Sequence, residues 1–233
     1  HSVTHETVRA IMPVAKIPNA SDPIMIEYFY SAHSAFAYLG SSRFMEIAKA
    51  TGRKIVHKPV NLRRIMIESG AGSTRDRSDR HRAYYFGREI ERWAEWRNAP
   101  VVTQTPPTHH LKDMTLCNGM VIAAIEQGLN VDQLAHRMLE AHWRDDADLA
   151  DRETLVQLGN EVGLDPAPLL DAALSPEVAA IYLENTEEAI RRSVFGSPTY
   201  FVDGDMFYGQ DHLEMVEHAC KQRFEGVWPR DKR

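Results

Sequence analysis

Cysteine is scarce in this sequence: Cys117 and Cys220 are the only two among 233 residues, and they form no C-x-x-C pair. That excludes a disulfide framework and a cysteine-bound zinc, and it leaves no dithiol for redox exchange. A reducing cytoplasm is the compartment that fits such usage. Positive charge is also in deficit, with 27 Lys and Arg against 33 Asp and Glu, a formal charge of −6 and a pI near 6.0. Nucleic acid is therefore not an expected partner. Long apolar runs are missing as well: nothing approaches the roughly 18 residues that cross a bilayer. Mean hydropathy is −0.40, so no membrane partner is expected. The first residues, His1-Ser2-Val3-Thr4, lack the charged-then-apolar layout of a secretory signal. Residues 1–23, broken by Pro13, Pro18 and Pro23, read as an N-terminal extension or remnant without chemistry of its own.

What is present is enough to fold. Hydrophobic residues make up 43% and charged residues 26%, the balance of a chain with a sizeable core. Ile24 to Tyr30 is a short apolar and aromatic run with the length of a buried strand. Ser31-Ala32-His33-Ser34 breaks it, and from Ala35 onward Phe36, Leu39, Phe44 and Ile47 recur at helical spacing until Thr51 and Gly52. Ile55 to Val60 predicts a second strand, completing a strand, helix, strand unit. The pattern then turns helical to about Leu183, with helices predicted near 78–98, 112–127, 131–143, 151–162 and 166–174. Asp151 ahead of Thr154 and Ser175 ahead of Val178 mark helix starts. Strand character returns at Thr199 to Val202; Asp203-Gly204 predicts a two-residue hairpin turn, Asp205 to Tyr208 its partner strand, and an amphipathic helix follows Gly209. This order predicts an α/β fold in which an all-helical insertion, 63–183, splits a small sheet domain formed by 24–62 and 184–225.

Three short segments carry candidate chemistry. Ser34 lies where the first strand hands over to the first helix, a position whose unpaired amides suit a thiolate or an oxyanion. An N-cap is its ordinary role, and the two uses are compatible at different hydroxyl orientations. Ser197-Pro198, just ahead of a strand, is a candidate cis peptide whose backbone edge could pair with an extended peptide, although an isolated loop proline is the commoner case. Gly209-Gln210-Asp211 opens the last helix, where amides and the Asp211 carboxylate suit a zwitterionic amino-acid group; a first-turn carboxylate complementing the dipole explains Asp211 equally. Eleven histidines occur, but His109-His110, His136 with His142, and His212 with His218 lack the i,i+4 spacing of a helical metal site, so no metal is expected.

In sequence, Tyr28-Phe29-Tyr30-Ser31-Ala32-His33-Ser34-Ala35-Phe36-Ala37-Tyr38-Leu39-Gly40, with Val194 to Thr199 and Gly209-Gln210-Asp211, resembles the 2-hydroxychromene-2-carboxylate isomerase family. That family is related to kappa-class glutathione transferases and to DsbA-like thioredoxin-fold oxidoreductases. The resemblance runs from about Ile24 to Phe224 and includes Arg82, Tyr85, Glu89, Arg92, Trp93 and Pro100 of the inserted helices.

The resemblance implies a thioredoxin-like fold with a large helical insertion, glutathione as cofactor, a small aromatic carboxylate as substrate, and a homodimer. It implies Ser34 as the catalytic serine whose hydroxyl supports the glutathione sulfur, and Gly196, Ser197, Pro198 and Thr199 as the peptide-pairing edge. Asn185, Gln210 and Asp211 would hold the remaining polar ends, and Thr74, Arg75 and Tyr85 would meet the organic substrate. In the family reaction, thiolate addition opens the hydroxychromene ring, a bond rotates, and elimination returns the thiolate. The sequence departs from the family pattern at Ala35, where proline is usual, at His212, where arginine is usual, and at Met66, near which naphthalene-pathway members have lysine. A kappa-like transferase is the nearest alternative, and a non-catalytic thioredoxin-fold binding protein is the third. A disulfide oxidoreductase is disfavoured by the missing thiol.

Overall fold

A computed structural model describes residues 24–72 and 74–230, without the side chain of Thr74. The extension expected over residues 1–23 lies outside the described residues. Strand β1, Met25–Tyr30, is followed by α1, Ala35–Thr51, and β2, Lys54–Pro59. After the insertion come β3, Thr199–Val202, and β4, Asp205–Tyr208, then a 3-10 turn, Gln210–His212, and a helix, Leu213–Lys221. The sheet order is β2-β1-β3-β4. Strands β1 and β2 run parallel, while β3 is antiparallel to both β1 and β4.

Strand β1 carries apolar side chains on both of its faces, Glu27 apart, because both faces are covered over most of its length. Ile26, Tyr28 and Tyr30 enter a core shared with α1 residues Leu39, Phe44 and Ile47. Phe29, on the opposite face, packs with Val60, Ile65, Ala189, Val194 and Phe201. The hairpin forms at the expected place, with Asp203 at φ 50° and Gly204 at φ 86°, the left-handed pair that a type I′ turn requires.

The inserted segment is helical, as the periodicity predicts: α2, Leu62–Glu68; α3, Asp79–Ala83; α4, Glu89–Trp96; α5, Thr115–Glu126; α6, Asp132–Trp143; α7, Arg152–Glu161; α8, Pro166–Ala172; and α9, Pro176–Arg191. The final helix is therefore α10. Asp151 accepts from the Thr154 amide at 2.9 Å and Ser175 from the Val178 amide at 3.2 Å, so both sequence-read caps are made. Three features go beyond the sequence reading. Helix α2 follows β2 directly, with Asn61 accepting from the Arg64 amide. The helix expected over 78–98 is divided by a π-helical turn, Tyr84–Arg88. Helix α9 runs unbroken across residue 184. No helix of the described residues is long and apolar enough to cross a membrane.

Candidate functional site

Ser34 is 5% exposed and occupies the N-cap of α1 with extended backbone. Its Oγ accepts from the Ala37 amide at 3.3 Å and donates to the Ser197 carbonyl at 3.3 Å. The capping role is thus observed, and the same hydroxyl reaches a loop 163 residues away. Ser197-Pro198 is a cis peptide. The Ser197 hydroxyl in turn accepts from the Ser31 amide at 3.4 Å, so two hydrogen bonds join the Ser34 loop to the proline loop.

Gly196 allows a close approach: a Cβ there would lie 2.7 Å from the Tyr208 ring, which would have to shift. That close approach places Tyr208, at the end of β4, against the proline loop. Thr199 is buried and its Oγ1 donates to the Gly196 carbonyl at 2.9 Å, while the Gly209 amide donates to the Pro198 carbonyl at 2.9 Å.

A cleft of about 490 Å³, part of it open to solvent, lies beside this loop. Ser197, Tyr208 and the Gly209 to His212 turn form one wall; Phe36, Tyr85, Glu89 and Trp93 form the other. Tyr85 belongs to the π-helical turn and its ring centroid is 5.0 Å from that of Phe36. Burial pushes the Tyr85 hydroxyl above its ordinary pKa, with Tyr208 beside it adding to the shift. Asp211 is exposed on this cleft, and Gln210, 1% exposed, faces inward.

Sequence reasoning missed what holds that wall. Arg97, just past α4, donates from Nε to Gln210 Oε1 at 3.0 Å and from Nη2 to the Gln210 carbonyl at 2.9 Å, and it stacks on Trp93 at 5.1 Å. Gly40 permits the other side: a Cβ there would come within 2.5 Å of Gln210 Cβ. No local sequence signal announces the Arg97 to Gln210 pairing, which spans 113 positions.

Asn185 and Arg75, also expected at the site, are not among the described residues that line this cleft. Asn185, on α9, donates to the Pro59 carbonyl at 3.1 Å and ties that helix to the end of β2. Arg75 lies in a 3-10 turn, Thr74–Asp76, and its carbonyl accepts from Arg82; it is not among the described residues lining the cleft. The side chain of Thr74 lies outside what is described. Neither cysteine is poised as a thiolate. Burial pushes the Cys117 thiol up to about 12, and burial also raises that of Cys220.

A profile described as the DSBA-like thioredoxin domain matches residues 25–221. The chain is similar to a 2-hydroxychromene-2-carboxylate isomerase of Pseudomonas sp. (strain C18), with 28% identity over 84% of this chain and 90% of the relative. It is also similar to glutathione S-transferase kappa 1 of Rattus norvegicus, with 23% identity over 89% of this chain and 95% of the relative. Among solved structures, a 2-hydroxychromene-2-carboxylate isomerase superimposes with a TM-score of 0.70 at 23% identity, covering 85% of this chain and 95% of that one.

Proposed function

We propose a function from one premise: the chain belongs to the DSBA-like thioredoxin domain family. Its cleft binds glutathione, and the protein is a glutathione-dependent isomerase of the 2-hydroxychromene-2-carboxylate isomerase type, acting on a small aromatic carboxylate. The observation that carries this reading is the 3.3 Å contact between Ser34 Oγ and the Ser197 carbonyl, which brings a helix-capping hydroxyl to the cis-proline loop. Curated relatives named as isomerases and as a glutathione transferase support the same direction.

When bound, glutathione supplies the nucleophilic sulfur that this chain's own cysteines do not offer. The residues present fit it. Ser34 keeps its bond from the Ala37 amide while its proton rotates from the Ser197 carbonyl toward the sulfur, because a hydroxyl can accept and donate at once. Donation to a thiolate stabilises the charged form and lowers the thiol pKa. The backbone of Ser197, Pro198 and Thr199 offers an edge for an extended peptide. Asp211 meets an ammonium group on the open cleft, with Gln210 fixed behind it by Arg97. Tyr85 and Phe36 give the organic ring an aromatic wall.

Calorimetric titration with glutathione is expected to show saturable binding; no binding at millimolar glutathione overturns the proposal. Incubation with hydroxychromene carboxylate and, separately, with chlorodinitrobenzene then separates two chemistries. The isomerase reading expects turnover of the first with glutathione returned. Accumulation of a stable glutathione conjugate from the second, without isomerisation of the first, identifies a transferase instead.

A further inference from the structure

His33 immediately precedes Ser34, and the residues around it fix its protonation. The Asn118 side chain is oriented by a backbone donor: its Oδ1 accepts from the Ala32 amide at 2.9 Å. Its Nδ2 therefore donates, reaching Ser31 Oγ at 3.1 Å and the Tyr182 hydroxyl at 3.2 Å. Ser31, 1% exposed, thus has its hydroxyl proton left to give, and its remaining partner is His33 Nδ1 at 2.7 Å. An Nδ1 that accepts places the ring proton on Nε2.

The neighbours of the ring keep it uncharged. His142 donates from Nδ1 to the Ala147 carbonyl at 3.2 Å, so its Nε2 accepts from His110 Nδ1 at 2.9 Å. The His33 ring lies 5.0 Å from that of His110 and 6.2 Å from that of His142. Arg63, exposed at the start of α2, adds a positive charge from a third element. Desolvation, these two imidazoles and Arg63 all hold His33 well below its ordinary pKa. His33 is nevertheless half-buried, not sealed. Its Nε2 has no hydrogen-bond partner among the described residues, and it is not among the enclosed unsatisfied atoms. Arg63 likewise makes no ion pair among the described residues, although its charge reaches Asp113.

We propose that His33 is a substrate-binding donor: its neutral imidazole gives an Nε2–H hydrogen bond to the carboxylate of an aromatic acid held beside Ser34, with Arg63 supplying the countercharge. This deepens, and rests on, the reading of the protein as an enzyme acting on such an acid. A neutral donor suits the task because it accepts no proton from the ligand and keeps its hydrogen on one nitrogen across the physiological range.

The test uses the full chain. A two-bond ¹H–¹⁵N imidazole spectrum is expected to show His33 as the Nε2–H tautomer from pH 8 down to 5.5; an Nδ1–H tautomer or a doubly protonated ring overturns the proposal. Titration with trans-cinnamate is expected to shift the His33 Nε2 signal, whereas its methyl ester does not. His33→Leu should weaken cinnamate binding by about ten- to a hundredfold, as loss of a hydrogen bond to a charged group does, and His33→Gln, which retains a donor, should restore most of it. Equal losses for cinnamate and its ester, or no loss for cinnamate, overturn it. Glutathione affinity is measured in parallel: its absence in the wild-type protein sinks the isomerase reading, while the tautomer and cinnamate readouts still decide on His33.

Discussion

Ser34 makes two hydrogen bonds with one hydroxyl, one to its own helix and one to the proline loop. Capping and the proposed ligand support are compatible in sequence, and the accepted bond from Ala37 and the donated bond to Ser197 use different parts of the same group, so the cap survives if the proton is redirected. Ser34→Ala is accordingly expected to lower stability by about 1 kcal/mol, the ordinary value of a lost cap, while isomerase turnover falls by a larger factor. Parallel urea denaturation and steady-state assays check this; turnover that falls no further than stability would leave the residue as a cap alone. At this scale the sequence was informative where chemistry is local. Ser34, the Ser197-Pro198 dipeptide and Asp211 all stand at junctions between elements that periodicity locates. Arg97, Asn118 and the use of Asn185 were not legible, because each acts on a partner between 86 and 126 positions away, and no spacing rule connects them.

Among elements, the contact of α6 with the Ser34 loop has a consequence for acid stability. Trp143, at the end of α6, donates from Nε1 to the His33 carbonyl at 2.8 Å, and His142 beside it is fully buried. Burial pulls both His110 and His142 down to about 4, below the value near 6.5 of an unfolded chain. The unfolded state therefore binds more protons across that interval, so the stabilisation is complete above about pH 6.5 and declines as pH falls toward 4. For His142 alone the loss from pH 7 to pH 5 is on the order of 2 kcal/mol. Denaturation midpoints measured at both pH values check it, and the loss should shrink in His142→Gln; a pH-independent midpoint would refute it. Most elements were read correctly because their punctuation is strong, as at Asp151 and Ser175. Helix α2 escaped notice because Pro59-Val60-Asn61 reads as the end of a strand, while Asn61 is also the N-cap of α2.

For the whole molecule, the insertion is continuous with the sheet core. Ile26 and Tyr28 of β1 share one cluster with Ile90 of α4 and with Ala135, Leu139 and Trp143 of α6. A second cluster joins α5, α6, α7 and α8 around Met120, Leu134, Met138, Leu155 and Leu169, and α6 contributes to both. We expect one cooperative unfolding transition, with the tryptophan signal of Trp143 and far-ultraviolet circular dichroism coinciding. Two separated transitions would instead make the insertion an independently stable unit. The sequence order conveyed the split sheet, but not this sharing, which depends on how α6 lies across α1.

The π-helical turn at Tyr84–Arg88 sets the phase of the rod that borders the cleft. A π-turn holds one residue more than an α-turn of the same span, so residues ahead of it stand one position away from the register that an unbroken α-helix would give them relative to α4. Tyr85, Glu89 and Trp93, spaced four residues apart along the rod, line the same cleft. A Cβ built at Gly87 would meet nothing within 4 Å, so a side chain can be added inside this turn without displacing a neighbour. Chain length across residues 84–88 therefore belongs to the description of this site: an insertion or deletion there would change the four-residue spacing between Tyr85 and Glu89 without replacing any side chain that lines the cleft.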